Sequence, residues 1–385
     1  MIQLFKPQML VHEILSELKP VLESGWIGLG GKTKEFEDKF SEFIGCNHSV
    51  AVNSCTAALH LALIIAGVAD GDEVLTTSMT FVSTNHVILY QRAIPVFCDI
   101  DDVTLGIQFS EIQRKITTKT KAIVVVHYAG YPVDMEPIYE FAKKRNLWVI
   151  EDCAHACGAQ YNLNNRVGNC NGYEKNIACF SFHPVKNLPT GDGGMITTNN
   201  KDVSDRLRRL RWMGIDKDTY VRTETGENEG YNWMYHVGEV GYKYHTNDIL
   251  ATIALVQLKY LEQHNAMRRF ISRMYCDRIC EMVKTDKFVR VLSRAEGDDG
   301  RLSAAHTFPI MVRDRDELVK KFNENNIFPG VHYYPNHMYD IYKPYSDTVL
   351  PVTETIWKKL ILLPLHVMIN REDVFKVVRV MQGGC

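Results

Sequence analysis

The sequence predicts an α/β protein with a large, mostly parallel sheet domain and a smaller C-terminal α/β domain. Between about residues 48 and 200, short β-rich runs alternate with helical ones, which is typical of right-handed βαβ crossovers. After Gly241 a long helical stretch replaces that alternation. The 385 residues allow about two domains at ~100–200 residues each. We place the large domain at 1–250 and the small one at 251–385.

Seven runs rich in β-forming residues predict the strands of the sheet. They are His48–Asn53, Glu73–Thr77, Pro95–Ile100, Ala122–His127, Leu147–Glu151, Cys179–Phe182 and Met195–Thr198. Helical segments at Ala57–Ala66, between the second and third strands, and around Met135–Asn146 separate them. Because parallel strands need crossover connections, we expect helices on both faces of the sheet.

The C-terminal part begins with a long predicted helix from Asn247 to about Val283. Apolar residues follow one another there in steps of four, three and four, which keeps one helix face apolar. A strand, a helix, an extended run and two helices follow, at Thr307–Val312, Arg315–Asn325, Gly330–Tyr334, Val352–Leu362 and Arg371–Met381. The polar stretches Asp216–Asn232 and Arg294–Arg301 predict surface loops.

Charge and cysteine usage exclude several classes of protein. The 44 basic and 46 acidic residues nearly cancel, so nothing favours nucleic acid or an anionic membrane as partner. The ten cysteines form no CxxC pair, and the first residues lack the apolar core of a secretory signal. The apolar stretch Ala57–Val68 is too short to span a bilayer. We expect a cytoplasmic protein with reduced thiols.

The first segment with chemical potential is Val52–Ala58, where a strand runs into a helix. Ser54 and Thr56 stand at the start of that helix. Unpaired N–H groups and the helix dipole favour an anion there, typically phosphate. The alternative is that Ser54 or Thr56 is only the N-cap.

The second segment is Val149–Ala156, in which two acidic residues end a strand, the place where α/β proteins collect ligand sites. Asp152 could hold a cationic nitrogen, and His155 could bond a ligand oxygen. The alternative is that Glu151 and Asp152 cap a following helix. A zinc site of His155 with Cys153 and Cys157 lacks the paired spacing of structural sites, so we expect no metal.

The third segment, Phe180–Gly194, places Lys186 in a Gly-rich stretch between two strands. A lysine becomes a Schiff-base nucleophile only where its surroundings lower its pKa, and most lysines are simply solvated. Together, however, the three segments offer an anion site, a carboxylate and an amine along a βαβ chain. Those are the groups that pyridoxal phosphate (PLP) requires.

The chain resembles the DegT-type family of PLP-dependent nucleotide-sugar aminotransferases nearly end to end. The most specific pattern is SFHxxK followed by GxGG, with EDxAHA upstream. Further matching motifs lie at Ser24–Gly30, Lys34–Phe40, Asn53–Leu63, Thr80–Thr84, Pro95–Asp101, His127–Met135, Gly241–Asp248, Gln257–Leu261, Val331–Pro335 and Leu363–His366.

The resemblance implies the type I PLP-dependent transferase fold and a homodimer with both active sites at its interface. It implies amino transfer from glutamate or glutamine to a keto-sugar carried by a nucleoside diphosphate. A 4-keto-6-deoxy sugar is the commonest substrate in the family, and a 3-keto sugar is the main alternative. The product would be an amino sugar, for instance for polysaccharide biosynthesis.

Three catalytic residues follow from the resemblance. Lys186 matches the lysine that forms the internal aldimine with PLP and then moves protons. Asp152 matches the carboxylate that keeps the pyridine nitrogen protonated. His155 matches the residue that contacts the ring hydroxyl.

Other cofactor contacts are implied in the same way. Thr56 and Ala57 match the phosphate-binding turn, and Ser181 matches a hydroxyl that donates to the phosphate. Phe81 stands where the family places an aromatic ring stacked on the cofactor. The alternative for Phe81 is core packing.

The chain departs from the family pattern at two places. Cys55 stands where a glycine commonly precedes the phosphate-binding threonine. Lys243 stands where many members carry an asparagine that reaches the other subunit's phosphate, and His245 replaces an arginine. A lysine could make the same contact as a point charge, so we expect Lys243 to bind the cofactor across the dimer.

For the substrate, the resemblance points to residues around the entrance: Trp26 and Gly28, His332 and Tyr333, and the loop at Asp216–Asn232. Each could instead be a surface or packing residue. Two other functions stay open, a PLP-dependent sugar dehydratase and a non-catalytic sensor of PLP or sugar nucleotide. The best-known dehydratase branch replaces the catalytic lysine with histidine, and Lys186 argues against that branch.

Overall fold

The computed structural model describes residues 1–216, 235–285, 289–292, 295–297, 300–345 and 348–383. The loop predicted at Asp216–Asn232 falls almost entirely on residues 217–234, outside the described residues. Parts of the loop predicted at Arg294–Arg301 lie outside them as well.

In the described part of the chain the main sheet holds seven strands, β1 (His48–Val52), β2 (Glu73–Thr77), β3 (Ile94–Cys98), β4 (Thr120–Val126), β5 (Trp148–Asp152), β8 (Asn176–Ser181) and β9 (Gly194–Thr198). Their order across the sheet is β1-β9-β8-β5-β4-β2-β3. Only β9 runs against the other strands. The predicted mostly parallel sheet is therefore confirmed, with each strand within a few residues of its predicted bounds.

Smaller strand pairs and helices complete the fold. A hairpin joins β6 (Gln160–Asn162) to β7 (Asn165–Arg166), and a second sheet holds β10 (Arg290–Val291), β11 (Phe308–Met311) and β12 (Leu360–Leu363). The helices are α1 (Val11–Ser24), α2 (Gly31–Ile44), α3 (Cys55–Ile65), α4 (Val82–Tyr90), α5 (Phe109–Lys115), α6 (Glu136–Arg145), α7 (Lys201–Leu210), α8 (Asp248–Thr285), α9 (Arg315–Glu324), α10 (Pro351–Trp357) and α11 (Arg371–Met381). Within the described ranges, no helix is long and apolar enough to cross a membrane.

Helices cover both faces of the main sheet, as predicted. Helices α3, α4 and α7 bury one face, while α2, α5, α6 and α8 bury the other. Side chains alternate between the faces along each strand. On β5, Ile150 therefore joins the core under α3, whereas Val149 joins the core under α6. The same alternation sends Glu151 and Asp152 to opposite faces.

The second core lies around β10, β11 and β12. Helix α8 contributes to both cores, with Leu261 under the main sheet and Tyr275 beside the small one. The N-terminal segment also reaches the second core, because Ile2 is buried there and its N–H donates to the carbonyl of Asn326 at 2.8 Å. The domain boundary at 250/251 stays a prediction.

The helix predicted at Val352–Leu362 is wrong in its second half. Helix α10 ends at Trp357, and the next apolar run, Leu360–Leu363, is a strand paired antiparallel with β11. All four of its side chains are buried. A short, fully apolar run has no periodicity that separates a buried strand from a buried helix, so sequence alone could not decide.

Candidate active site

A cavity of about 450 Å³ opens at the carboxyl ends of the parallel strands, where ligand sites of such sheets occur. It collects residues from segments far apart in the chain. The predicted site residues that line it are Thr56, Phe81, Asp152, His155, Ser181, Lys186, His332 and Tyr333. Among the described residues, the predicted Ala57, Lys243, Trp26 and Gly28 lie outside its lining.

Lys186 lies in the connection between β8 and β9, held by a turn in which its N–H donates to the carbonyl of His183 at 2.8 Å. The next residue, Asn187, is anchored by its amide nitrogen to Asn265 Oδ1 at 2.7 Å and to the Ala304 carbonyl at 2.8 Å. Burial lowers the pKa of Lys186 from 10.5 to about 8, against the attraction of Asp152. Much of the amine is therefore neutral in mildly alkaline solution.

We expect the rate at which the apoprotein captures PLP to rise with pH around pH 8 and then level off. The neutral amine is the attacking form. With a pKa of about 8, about a tenth is neutral one pH unit below and about nine tenths one unit above. Stopped-flow absorbance across the pH range measures the midpoint, with Nα-acetyl-lysine as the unperturbed amine. A midpoint equal to that of the free amine would contradict the expectation.

Asp152 ends β5, and its buried carboxylate is held from two sides. The Thr84 hydroxyl donates to Oδ2 at 2.7 Å, and the Ala154 N–H donates to Oδ1 at 3.1 Å. Cys55 Sγ lies 4.0 Å from Oδ1. Burial raises the pKa of Asp152, although Thr84 and Ala154 oppose this. A cationic nitrogen placed beside the carboxylate would stabilise its ionised form.

The alternative that Glu151 and Asp152 cap the next helix is wrong, because turns lead from β5 to β6 without a helix. Glu151 instead lies buried on the opposite sheet face. Burial raises its pKa, but hydrogen bonds outweigh that effect and leave the pKa lowered. Its donors are His127, Tyr139, Tyr161 and Asn176.

The hydrogen-bonded side chains around Glu151 also include residue types that bind metals. Among the described residues, His127, Glu151 and Cys153 form the one group with ligand atoms close enough together. Both His127 nitrogens are engaged, however, since Nδ1 accepts from the Val133 N–H at 3.1 Å and Nε2 bonds Glu151 at 2.8 Å. This network ties β4 to β5, and His155 takes no part in it.

His155 is buried beside the cavity, with Nε2 3.0 Å from the Tyr333 hydroxyl. Burial, together with the charge of Lys186, holds its pKa well below 6.5, so the ring is neutral. Its other nitrogen, Nδ1, is buried without a hydrogen-bond partner in the described part of the chain. Because buried polar atoms are normally paired, this atom favours a ligand with a polar group at that position.

The predicted anion site lies where α3 begins. Ser54 Oγ accepts the Ala57 N–H at 3.1 Å, so Ser54 is the N-cap of this helix. The first helical N–H groups lack partners within a helix, and Thr56 and Ser181 add hydroxyls to the cavity wall. A side chain at Gly194 would place its Cβ 2.5 Å from the Ser54 carbonyl carbon. Strand β9 can therefore lie against this turn only with glycine there.

Phe81 stands at the start of α4 with 56% of its surface exposed, so core packing is the wrong interpretation. Its ring centroid is 6.1 Å from that of Tyr333.

Burial and the charge of Lys186 lower the pKa of His332, another cavity residue, to about 4. Phe5 stacks on His332 at 5.7 Å between centroids and lines the cavity with Leu4. Sequence reasoning missed both N-terminal residues, because nothing in their composition signals a site.

Trp26 and Gly28 belong to the turn before α2. Trp26 Nε1 donates to the Leu29 carbonyl at 3.2 Å, and the Gly28 carbonyl accepts the Asp248 N–H at 2.8 Å. Lys243 is exposed, with Nζ 3.7 Å from the centre of the Trp212 ring. These positions place all three residues outside the cavity of their own chain.

PLP fits the residues that line the cavity. The start of α3 and Ser181 would hold its phosphate, Asp152 its ring nitrogen, and Lys186 its aldehyde carbon. The unpaired, buried Nδ1 of His155 would gain a partner in the ring hydroxyl. Phe81 offers an exposed aromatic face, and the volume of about 450 Å³ is in the range of cofactor sites.

Known proteins share this architecture. Residues 8–382 match the model of the DegT/DnrJ/EryC1/StrS aminotransferase family. The spore coat polysaccharide biosynthesis protein SpsC of Bacillus subtilis is 34% identical over 380 residues, covering 96% of this chain and 94% of that protein. The sugar aminotransferase CalS13 from Micromonospora echinospora has a TM-score of 0.88 at 30% identity over 100% of both chains. A PMP-form structure of Spr1654 from Streptococcus pneumoniae has a TM-score of 0.88 at 27% identity, covering 98% of each chain.

Proposed function

Because the chain belongs to the DegT/DnrJ/EryC1/StrS aminotransferase family, we propose that it transfers an amino group from glutamate or glutamine to a nucleotide-linked keto-sugar. It is a sugar aminotransferase of a PLP-dependent family. The proposed acceptor is a 4-keto-6-deoxy sugar on a nucleoside diphosphate, and the amino sugar would serve polysaccharide synthesis. The observation that carries the proposal is the convergence of Lys186, Asp152 and His155 on one cavity.

The proposed roles follow from the surroundings of each residue. When bound, PLP supplies an electron sink for the pair left at the substrate carbon after proton removal. Lys186, with a pKa of about 8, would take that proton and later return it to the aldehyde carbon of PLP. Asp152 holds the ring nitrogen in its protonated form, and the neutral His155 orients the ring through its hydroxyl.

The substrate side of the proposal rests on His332 and Tyr333, which form part of the cavity wall. His332 is neutral at physiological pH because its pKa is about 4, so it would recognise sugar hydroxyls by hydrogen bonds rather than by charge. Trp26 and Gly28 lie outside this wall. We propose that they contact the outer, nucleotide end of the substrate.

The proposed homodimer gives Lys243 its role. Its exposed amine lies outside its own cavity, so we propose that it binds the phosphate of PLP in the partner subunit. Replacing Lys243 by alanine should weaken PLP binding about 10- to 100-fold, the worth of one charged hydrogen bond. Equilibrium titration with PLP measures this loss.

Mixed dimers test whether Lys243 acts across the interface. Lys186→Ala and Lys243→Ala proteins are mixed at limiting PLP, where each alone is nearly inactive. A heterodimer places the intact Lys186 and the intact Lys243 in one of its two sites, so about a quarter of wild-type activity should return. No recovery, despite subunit exchange seen by native mass spectrometry, would place Lys243 in its own subunit's site.

The function itself is tested by visible absorption of the purified protein with PLP. A yellow band should form, bleach on addition of glutamate or glutamine, and return on addition of the correct nucleotide-linked keto-sugar. A yellow band that neither donor bleaches would instead support a dehydratase, another donor or a sensor. No band at all would contradict the cofactor assignment.

A further inference from the structure

The hydroxyl of Thr84 is the shortest contact of the Asp152 carboxylate, at 2.7 Å from Oδ2. Thr84 is fully buried in the first turn of α4, the helix that begins beside the cavity. No other side chain in the described part of the chain bonds Oδ2. Thr84 is therefore the side chain that holds that oxygen.

Thr80 lies behind Thr84, with the two hydroxyl oxygens 2.9 Å apart. A hydroxyl has a single proton to donate. Because Thr84 gives its proton to the ionised Asp152, Thr80 must be the donor to Thr84. Both threonines are buried, so the three groups form a one-way chain of hydrogen bonds from Thr80 through Thr84 to Asp152.

The backbone around this chain is fixed. Asn85, the next residue of α4, accepts the Thr76 hydroxyl at 2.8 Å and donates to the Thr77 carbonyl at 3.0 Å. These bonds clamp the start of α4 to the end of β2. The second carboxylate oxygen of Asp152 is held by the Ala154 N–H at 3.1 Å. Both oxygens are thus pinned, by two different elements.

We propose that Thr84 is a positioning residue, backed by Thr80, that turns the Asp152 carboxylate toward the ring nitrogen of PLP. This inference rests on the proposed function, because the ring nitrogen belongs to the PLP that the proposed function requires. Without the Thr84 donor, the carboxylate can rotate and leave the nitrogen partly unprotonated. The ring then withdraws electrons less well.

The test is Thr84→Val, which keeps the shape and removes the donor. Bleaching by glutamate should slow about 10- to 100-fold, the range by which loss of an outer hydrogen-bond partner lowers activity at metal sites. The pH midpoint of the visible band should also rise. The second proton sits on the nitrogen that joins Lys186 to PLP. A ring that carries less positive charge repels this proton less, so the nitrogen keeps it up to a higher pH. Thr84→Ser, which restores the hydroxyl, should recover most of both effects.

Thr197→Val is the matched control. Thr197 is an equally buried threonine of the same sheet, and its hydroxyl donates to the Gly168 carbonyl at 2.6 Å, outside the cavity lining. Its loss should lower the melting temperature without moving the midpoint or the bleaching rate. If Thr84→Val binds PLP with an unchanged midpoint, the proposal is wrong.

Two further results separate this proposal from the others. If Thr84→Val does not fold, Thr80→Val should still shift the midpoint upward by a smaller amount, and no shift would contradict the chain of hydroxyls. Failure of the proposed function would appear in the wild type, as a band that neither glutamate nor glutamine bleaches. If glutamate or glutamine bleaches the wild type, and the threonine variants show the same midpoint and bleaching rate, only the positioning role is refuted.

Discussion

Replacing Lys186 by alanine should abolish turnover, by about 10⁴-fold or more, and remove the link to PLP that borohydride traps. Lys186 is the one lysine that lines the cavity in the described chain. Its lowered pKa of about 8 marks an amine whose charged form is poorly solvated. The measurement is intact mass after borohydride reduction, together with the rate of bleaching by glutamate.

Two variants control for loss of structure and for other lysines. Lys186→Arg keeps a positive charge but lacks the nucleophilic amine, so it should be equally inactive. Lys201→Ala removes an exposed lysine at the start of α7 and should retain both the trapped mass and the activity. Since Lys186 is desolvated, we expect Lys186→Ala to fold at least as stably as the wild type. A reducible adduct in that variant would overturn the assignment.

Replacing Asp152 by alanine should slow the half-reaction with glutamate by about 100-fold or more, because the ring nitrogen loses the carboxylate that keeps it protonated and the ring then withdraws electrons less well. PLP affinity should fall much less, because the start of α3 and Ser181 still offer donors to the phosphate. The two effects are separated by measuring the dissociation constant of PLP and the single-turnover rate at saturating cofactor.

Asp152→Asn distinguishes charge from shape. The amide keeps an oxygen to accept the Thr84 hydroxyl, but it cannot balance a positive ring nitrogen. We expect a rate close to that of the alanine variant. If the asparagine variant instead keeps the wild-type rate, the carboxylate acts only by holding Thr84 and Ala154 in place, and the electronic role is refuted.

Much of the fold was predictable because its signals are local. The strands of the main sheet are short β-branched runs between helical stretches, and α8 shows a clear helical period over its first turns. Strand β12 was not predictable, since four consecutive buried apolar residues carry no period. Its identity depends on pairing with β11, which is distant in sequence.

The site was predictable where function requires rare residue types in a fixed order. Lys186, Asp152 and His155 come from such segments, and all three line the cavity. Leu4 and Phe5 are ordinary apolar residues, and only the path of the N-terminal segment along the small domain brings them to the wall. Whether Lys243 acts in the partner's site depends on an assembly that sequence spacing does not encode.

The contact between Gly194 and the Ser54 turn has an evolutionary consequence. Any side chain at 194 would collide with the backbone of Ser54, about 140 residues away in sequence. A substitution at 194 would displace the start of α3, so selection should act on residue 194 rather than on the side chains of the Ser54 turn. In a library that randomises both segments, survivors should keep glycine at 194 while residue 55, whose side chain points toward Asp152, accepts other small residues.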